Sequence, residues 1–156
     1  MKFVKYIFLI LLIFSCDDSN SDDSQTSELE GSWTGINAYY ATQQDIDNTY
    51  TFTFTENNCE INGILYYENN EEIPVIGFTT FTTNTEVEPN QIDITIISYE
   101  IGGDALEEYY SLTSLGIYEI QGDSLKFTSG EPGELERPSE FTSDGQNAQL
   151  FLLVRD

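Results

Sequence analysis

From residue 29 onward the sequence predicts an all-β fold, with about eight short antiparallel strands closed as a barrel or stacked as a sandwich. Three observations predict it. Apolar and polar residues alternate with period two, turn-forming residues recur at short regular intervals, and no long stretch has the apolar period of an amphipathic helix.

An opening strand is expected around 32–41. Over 49–55, Tyr50, Phe52 and Phe54 alternate with threonines, so one face is aromatic and the other carries hydroxyls. Asn57-Asn58 ends that strand. The next runs over 61–67, and Asn69-Asn70-Glu71-Glu72 turns the chain. The stretch 73–83 is β-branched and aromatic. Pro74 belongs near its start or on an edge, because proline has no ladder donor. The pattern breaks over 86–90. Ile92, Ile94 and Ile96 then alternate with Asp93 and Thr95. Between 100 and 111, Gly102-Gly103 can turn, and 104–110 reads as one helical turn or a strand end. A strand over 112–120, the hairpin turn Gln121-Gly122-Asp123 and a return strand over 124–129 come next. The loop 130–138 holds two prolines. The last strand, 147–155, is apolar on both faces and is expected to be covered on both.

Charge excludes several functions. The 156 residues include 28 acidic and five basic ones and no histidine, for a formal charge of −23. Nucleic-acid binding needs clustered Lys and Arg, so no nucleic-acid partner is expected. A basic membrane-surface patch is equally absent. Without histidine there is no His-based triad and no His-ligated zinc. No metal or other cofactor is expected.

The N-terminus reads as an address. Lys2 and Lys5 precede an apolar run, Tyr6 to Phe14, and then Ser15 and Cys16. This is the layout of a secretory signal peptide, and the run is shorter than the roughly 20 residues of a spanning helix. Asp17-Asp18-Ser19-Asn20-Ser21-Asp22-Asp23-Ser24 reads as a solvated tether, with calcium ligation as a further reading of its oxygens. The expected division is 1–15 signal peptide, 16–28 acidic tether and 29–156 barrel domain. Cleavage before Cys16 leaves Lys126, Arg137 and Arg155 against the same 28 acids, a formal −25. Cys59 is then without a disulfide partner and reads as a small buried hydrophobe.

Two resemblances refine this. Leu12-Ile13-Phe14-Ser15-Cys16 resembles a bacterial lipobox, which implies lipidation of Cys16 as a membrane anchor. The acidic run after Cys16 resembles the export signal of surface-displayed lipoproteins in one Gram-negative phylum. Together they imply an outer-membrane, lipid-anchored, surface-exposed protein. In the body of the chain, Gly31-Ser32-Trp33 is similar to the Gly-x-Trp opening of lipocalins, and Leu150-Phe151-Leu152-Leu153-Val154-Arg155 to their closing strand. Gly116-Ile117-Tyr118-Glu119-Ile120-Gln121-Gly122-Asp123-Ser124-Leu125 and Arg137-Pro138-Ser139-Glu140-Phe141 resemble segments of an uncharacterised bacterial family of lipocalin-like domains. The resemblance covers about 29–35 and 116–155. It implies an eight-stranded antiparallel, lipocalin-like (calycin-type) up-and-down β-barrel, with Arg155 set across Trp33. It carries no catalytic residue and no known ligand.

The candidate site residues are of two kinds. Trp33 and Arg155 are expected to close one end of the barrel. Tyr50, Phe52, Phe54, Tyr118 and Arg137 are the candidate contacts for a ligand or partner. Arg137 also has a plainer expectation, an ion pair with Glu136, Glu140 or another local acid. The doublets Tyr39-Tyr40, Tyr66-Tyr67 and Tyr109-Tyr110 are expected on strands, one ring inward and one outward. The expected function is a non-enzymatic envelope lipoprotein whose barrel binds a small apolar ligand. The alternative is a surface interaction module for a protein or glycan partner. A hydrolase using two carboxylates is not favoured, because no spacing singles out a pair among so many acids.

Overall fold

In the computed structural model the described residues are 28–42, 46–67, 71–143 and 148–156. The signal segment, Cys16, most of the acidic tether and the turn residues Asn69 and Asn70 lie outside them. The strands are β1 Gly31–Asn37, β2 Ile46–Thr55, β3 Asn58–Tyr67, β4 Glu72–Asn84, β5 Asn90–Ile101, β6 Asp104–Ala105, β7 Thr113–Gln121, β8 Ser124–Gly130 and β9 Ala148–Arg155. Eight of them form a closed antiparallel barrel in sequential order, and the two-residue β6 pairs only with β5. The ring closes where β1 meets β9, from Trp33 opposite Arg155 to Asn37 opposite Phe151. This settles the barrel-or-sandwich choice, because every long strand has two hydrogen-bonded neighbours.

Alternation places the core. Trp33, Phe52, Phe54, Cys59, Val75, Ile92, Ile94, Phe127 and Leu153 all point inward and are buried. Close approach requires glycine at the seam. A Cβ on Gly35 would stand 2.0 Å from the Leu152 carbonyl oxygen. Two strands over, on β3, a Cβ on Gly63 would stand 2.6 Å from the Tyr50 ring. The absent side chain at Gly63 is what lets that ring lie across the wall.

Three expectations differ from the structure. The opening strand stops at Asn37 rather than running to 41. The Asn37 side chain accepts a hydrogen bond from the Tyr39 amide (3.0 Å) and starts a single helical turn, α1 Ala38–Ala41. Tyr39 and Tyr40 are therefore helical, and Tyr109 sits in a 3-10 turn, Glu107–Tyr109. Of the three doublets only Tyr66-Tyr67 is on a strand. The last strand is covered on one face alone: Leu152 and Val154 face outward and are 41% and 56% exposed. Between 100 and 111 both readings occur in succession, the brief β6 and then the 3-10 turn.

A β-bulge in β5 changes which residues look inward. Thr79 pairs with Ile96 but Phe78 pairs with Ser98, so Ile97 is the extra residue and is 54% exposed. Ile92, Ile94 and Ile96 point inward. Without the bulge that parity would carry Ser98 and Glu100 inward. With it, Tyr99 and Ile101 take the inner face, opposite Gly77 and Val75.

The segment after β8 lies against the outer wall. The Gly133 amide donates to the Thr113 carbonyl (2.9 Å), and Lys126 sits 5.3 Å from the Phe141 ring centroid. Ile117 and Thr128 face outward on β7 and β8 yet are buried, because this strap covers them.

Candidate functional site

The two ends of the barrel differ. At one end Trp33 is fully buried, and its indole N–H donates to the Leu29 carbonyl (2.7 Å). The Arg155 guanidinium lies 4.1 Å from the Trp33 ring centroid and donates to the carbonyls of Glu30 (2.8 Å) and Glu28 (2.9 Å). Arg155 thus pins residues 28–30 across this end, with Leu29 buried beneath them. Phe54 and Phe81 meet edge to face just inside, at 5.1 Å.

The other end is open. A cavity of about 340 Å³ enters the barrel there. Its floor is an aromatic cluster: Phe52 and Phe151 meet edge to face at 5.0 Å, Phe127 stacks on Phe151 at 5.6 Å, and Tyr50 meets Phe151 at 5.4 Å. Ile61, Leu65, Val75, Ile94 and Ile96 form much of the wall. The rim is polar, with Tyr40, Tyr99, Tyr109, Glu131 and Gln149.

Local chemistry positions the rim. The Asn37 amide donates to Asn48 Oδ1 (2.6 Å), and Asn37 Nδ2 donates to Gln149 Oε1 (3.1 Å). These bonds tie β1, β2 and β9 together below α1 and fix the turn that presents Tyr40. The excursion after β5 is held by the Leu106 amide donating to the Tyr99 carbonyl (2.9 Å) and the Ser111 amide donating to the Ile96 carbonyl (2.8 Å). It brings Leu106 and Tyr109 over the opening. Burial pushes the Tyr99 phenol up to about 12, with the neighbouring Tyr40 and Tyr109 adding to the shift. Tyr99 is therefore a neutral hydroxyl at neutral pH, able to donate and to accept.

The candidate contacts divide. Tyr50 and Phe52 line the cavity. Phe54 is buried below the aromatic floor, and Tyr118 is buried beside Glu28 near the closed end. Burial, and then the Glu28 carboxylate, push the Tyr118 phenol up. Arg137 is on the outer wall. It donates to the carbonyls of Ile92 (3.1 Å) and Gly116 (2.6 Å) and pairs with Asp93 at 2.5 Å. Its acid is thus on β5, 44 positions away, rather than Glu136 or Glu140. Cys59 is buried and inward-facing, and burial pushes its thiol up to about 12.

Sequence reading missed Tyr99 as a lining residue. A signal existed in Ile96-Ile97, where two adjacent apolar residues break the alternation and mark the bulge. Glu131 had none, since it is one acid among 28 and only the barrel's closure brings it to the rim.

Comparison with protein-family models, with curated proteins and with solved structures gives no match.

Proposed function

We propose that this chain is a lipid-anchored envelope lipoprotein whose lipocalin-like barrel holds a small, largely apolar ligand. The observation that carries the reading is the cavity: about 340 Å³, aromatic at its floor, aliphatic on much of its wall and open at one end only. Ligand sites of roughly 300–1,000 Å³ with an apolar lining and a few polar groups are the common kind. The plugged end supports it too, since Trp33, Arg155 and Leu29 leave a single entrance. The anchor rests on the sequence alone, through Cys16 and the segments around it. The reading assigns no reaction and places the protein at the bacterial outer membrane, displayed on the surface.

Native mass spectrometry of the full chain, isolated gently from its own host's envelope, tests the ligand. A reproducible added mass that is lost on denaturation is expected; a bare protein mass overturns the carrier reading. Cys16→Ala should abolish labelling by a fatty-acid probe, and unchanged labelling removes the anchor.

A surface interaction module is the second reading, and one observation favours it. Ile76, Phe78 and Ile97 are exposed together on the outer face of β4 and β5. Cross-linking in intact cells that captures one protein or glycan partner through this face, and loses it in Phe78→Ser, would support it.

A further inference from the structure

Building on the carrier reading, we infer that the cavity selects a cationic amphiphile, with its apolar body on the Phe52–Phe151 floor and its ammonium group at the rim among Tyr40, Tyr99, Tyr109 and Glu131.

The cavity itself supplies the first half of the argument. The isoleucine, leucine, valine and phenylalanine of the lining accept an alkyl or aryl body. Its inner hydroxyls are engaged, Thr79 with the Cys59 carbonyl (2.9 Å) and Ser114 with Ser129 (2.7 Å), so no charged partner is available to a buried charge there. Any charged group must therefore stay at the rim. There the Tyr99 ring has Tyr40 and Tyr109 as neighbours, and Glu131 is the single carboxylate of the lining among the described residues. Aromatic faces attract cations, and quaternary ammonium groups in particular are held by sets of aromatic rings. A carboxylate beside them supplies the countercharge.

The second half is the distribution of charge over the whole chain. After Cys16 only Lys126, Arg137 and Arg155 are basic. Each is engaged away from the cavity. Lys126 faces Glu119 at 3.8 Å on the outer wall, Arg137 is held by Asp93, and Arg155 covers Trp33 at the closed end. Among the described residues, Glu71, Asp104, Glu107, Glu108 and Glu131 of the open-end links are acidic and none there is basic, Arg137 being held on the outer wall. A carboxylate or phosphate head group would enter this field without a counterion. A cation is drawn toward it, and low-dielectric walls strengthen that pull.

Titration of the purified full chain with three probes that share one apolar chain tests this, monitored by calorimetry. The probes are octyltrimethylammonium, octan-1-ol and octanoate. Octyltrimethylammonium should bind about ten-fold more tightly than octan-1-ol, and octanoate more weakly than both. Glu131→Gln changes an exposed side chain and should cut the preference for the cation by about three-fold. Tyr99→Leu together with Glu131→Gln should bring the cation within about two-fold of the alcohol. Equal affinities for the three probes overturn the head-group inference and leave the carrier reading standing. A cation preference that survives both substitutions overturns it as well, because it would then reflect only the acidity of the whole chain. If none of the three binds, the inference and the carrier reading fall together.

Discussion

Trp33 shows how one residue can organise an end of the molecule. Its ring takes the Arg155 guanidinium on one face, and its N–H holds Leu29 over the opening. Trp33→Ala should destabilise the barrel by roughly 3–5 kcal/mol, the range for deleting a fully buried aromatic. A denaturant midpoint within error of the parent would refute its role as the plug. Cys59 is the other residue with a plain consequence. Burial holds its thiol protonated, so it should resist a thiol reagent at pH 8 in the folded state and react at once in denaturant. Rapid labelling of the folded protein would show that the wall opens there. Both residues were legible in the sequence: a lone tryptophan after Gly-x, and a strand cysteine with no disulfide partner and no histidine to activate it. Arg137 was only half legible. An acid partner was expected, but Asp93 comes from β5 and meets it only because the strap crosses the outside of β7.

At the scale of elements the β1–β9 seam and the strap are the points to test. The seam needs a residue without a Cβ where Gly35 meets the Leu152 carbonyl. Gly35→Ala must push the two strands apart and should cost about 1–3 kcal/mol or more, read as a lowered unfolding midpoint. No change would mean that the seam has slack. The strap is held by Arg137 through two carbonyls and one carboxylate, all made by a side chain that is largely buried. Arg137→Ala should cost roughly 1.5–3 kcal/mol and speed cleavage by a glutamate-specific protease, since Glu131, Glu134, Glu136 and Glu140 all lie in the strap. Unchanged cleavage would assign its hold to Phe141 and Pro138 instead. The bulge at Ile97 belongs to this scale as well. It is the device that turns Tyr99 toward the cavity, and its trace in the sequence is the Ile96-Ile97 pair.

For the whole molecule, pH gives a prediction with a definite sign. Cys59 is raised from 9.0 to about 12 and Tyr99 from 10.0 to about 12, both first by burial, and Tyr118 is raised for the same first reason. In the unfolded chain these groups lose their protons near their ordinary values, while the folded barrel keeps them. Above about pH 9 the unfolded state therefore binds fewer protons, and stability falls as pH rises toward 12. The slope is about 1.4 kcal/mol per pH unit for each group in its interval. Cys59 acts first, so Cys59→Ala should remove the part of the fall between 9 and 10 when midpoints are measured against pH. A parent midpoint that stays flat to pH 11 would contradict the burial of all three.

The alternation of Tyr50, Phe52 and Phe54 with threonine and the evenly spaced turns determined the all-β class and the spacing of its strands. These are local properties. Period-two hydrophobicity and turn chemistry act between residues a few positions apart, so they are written along the chain. The tertiary structure alone decided that the barrel leaves a cavity at one end, that Tyr40, Tyr99 and Tyr109 surround its entrance, and that Lys126, Arg137 and Arg155 all lie elsewhere. Those facts depend on how eight strands tilt and close, on one extra residue in β5 and on which loops meet at the rim. They set residues from distant parts of the chain beside one another, and no spacing along the sequence records that.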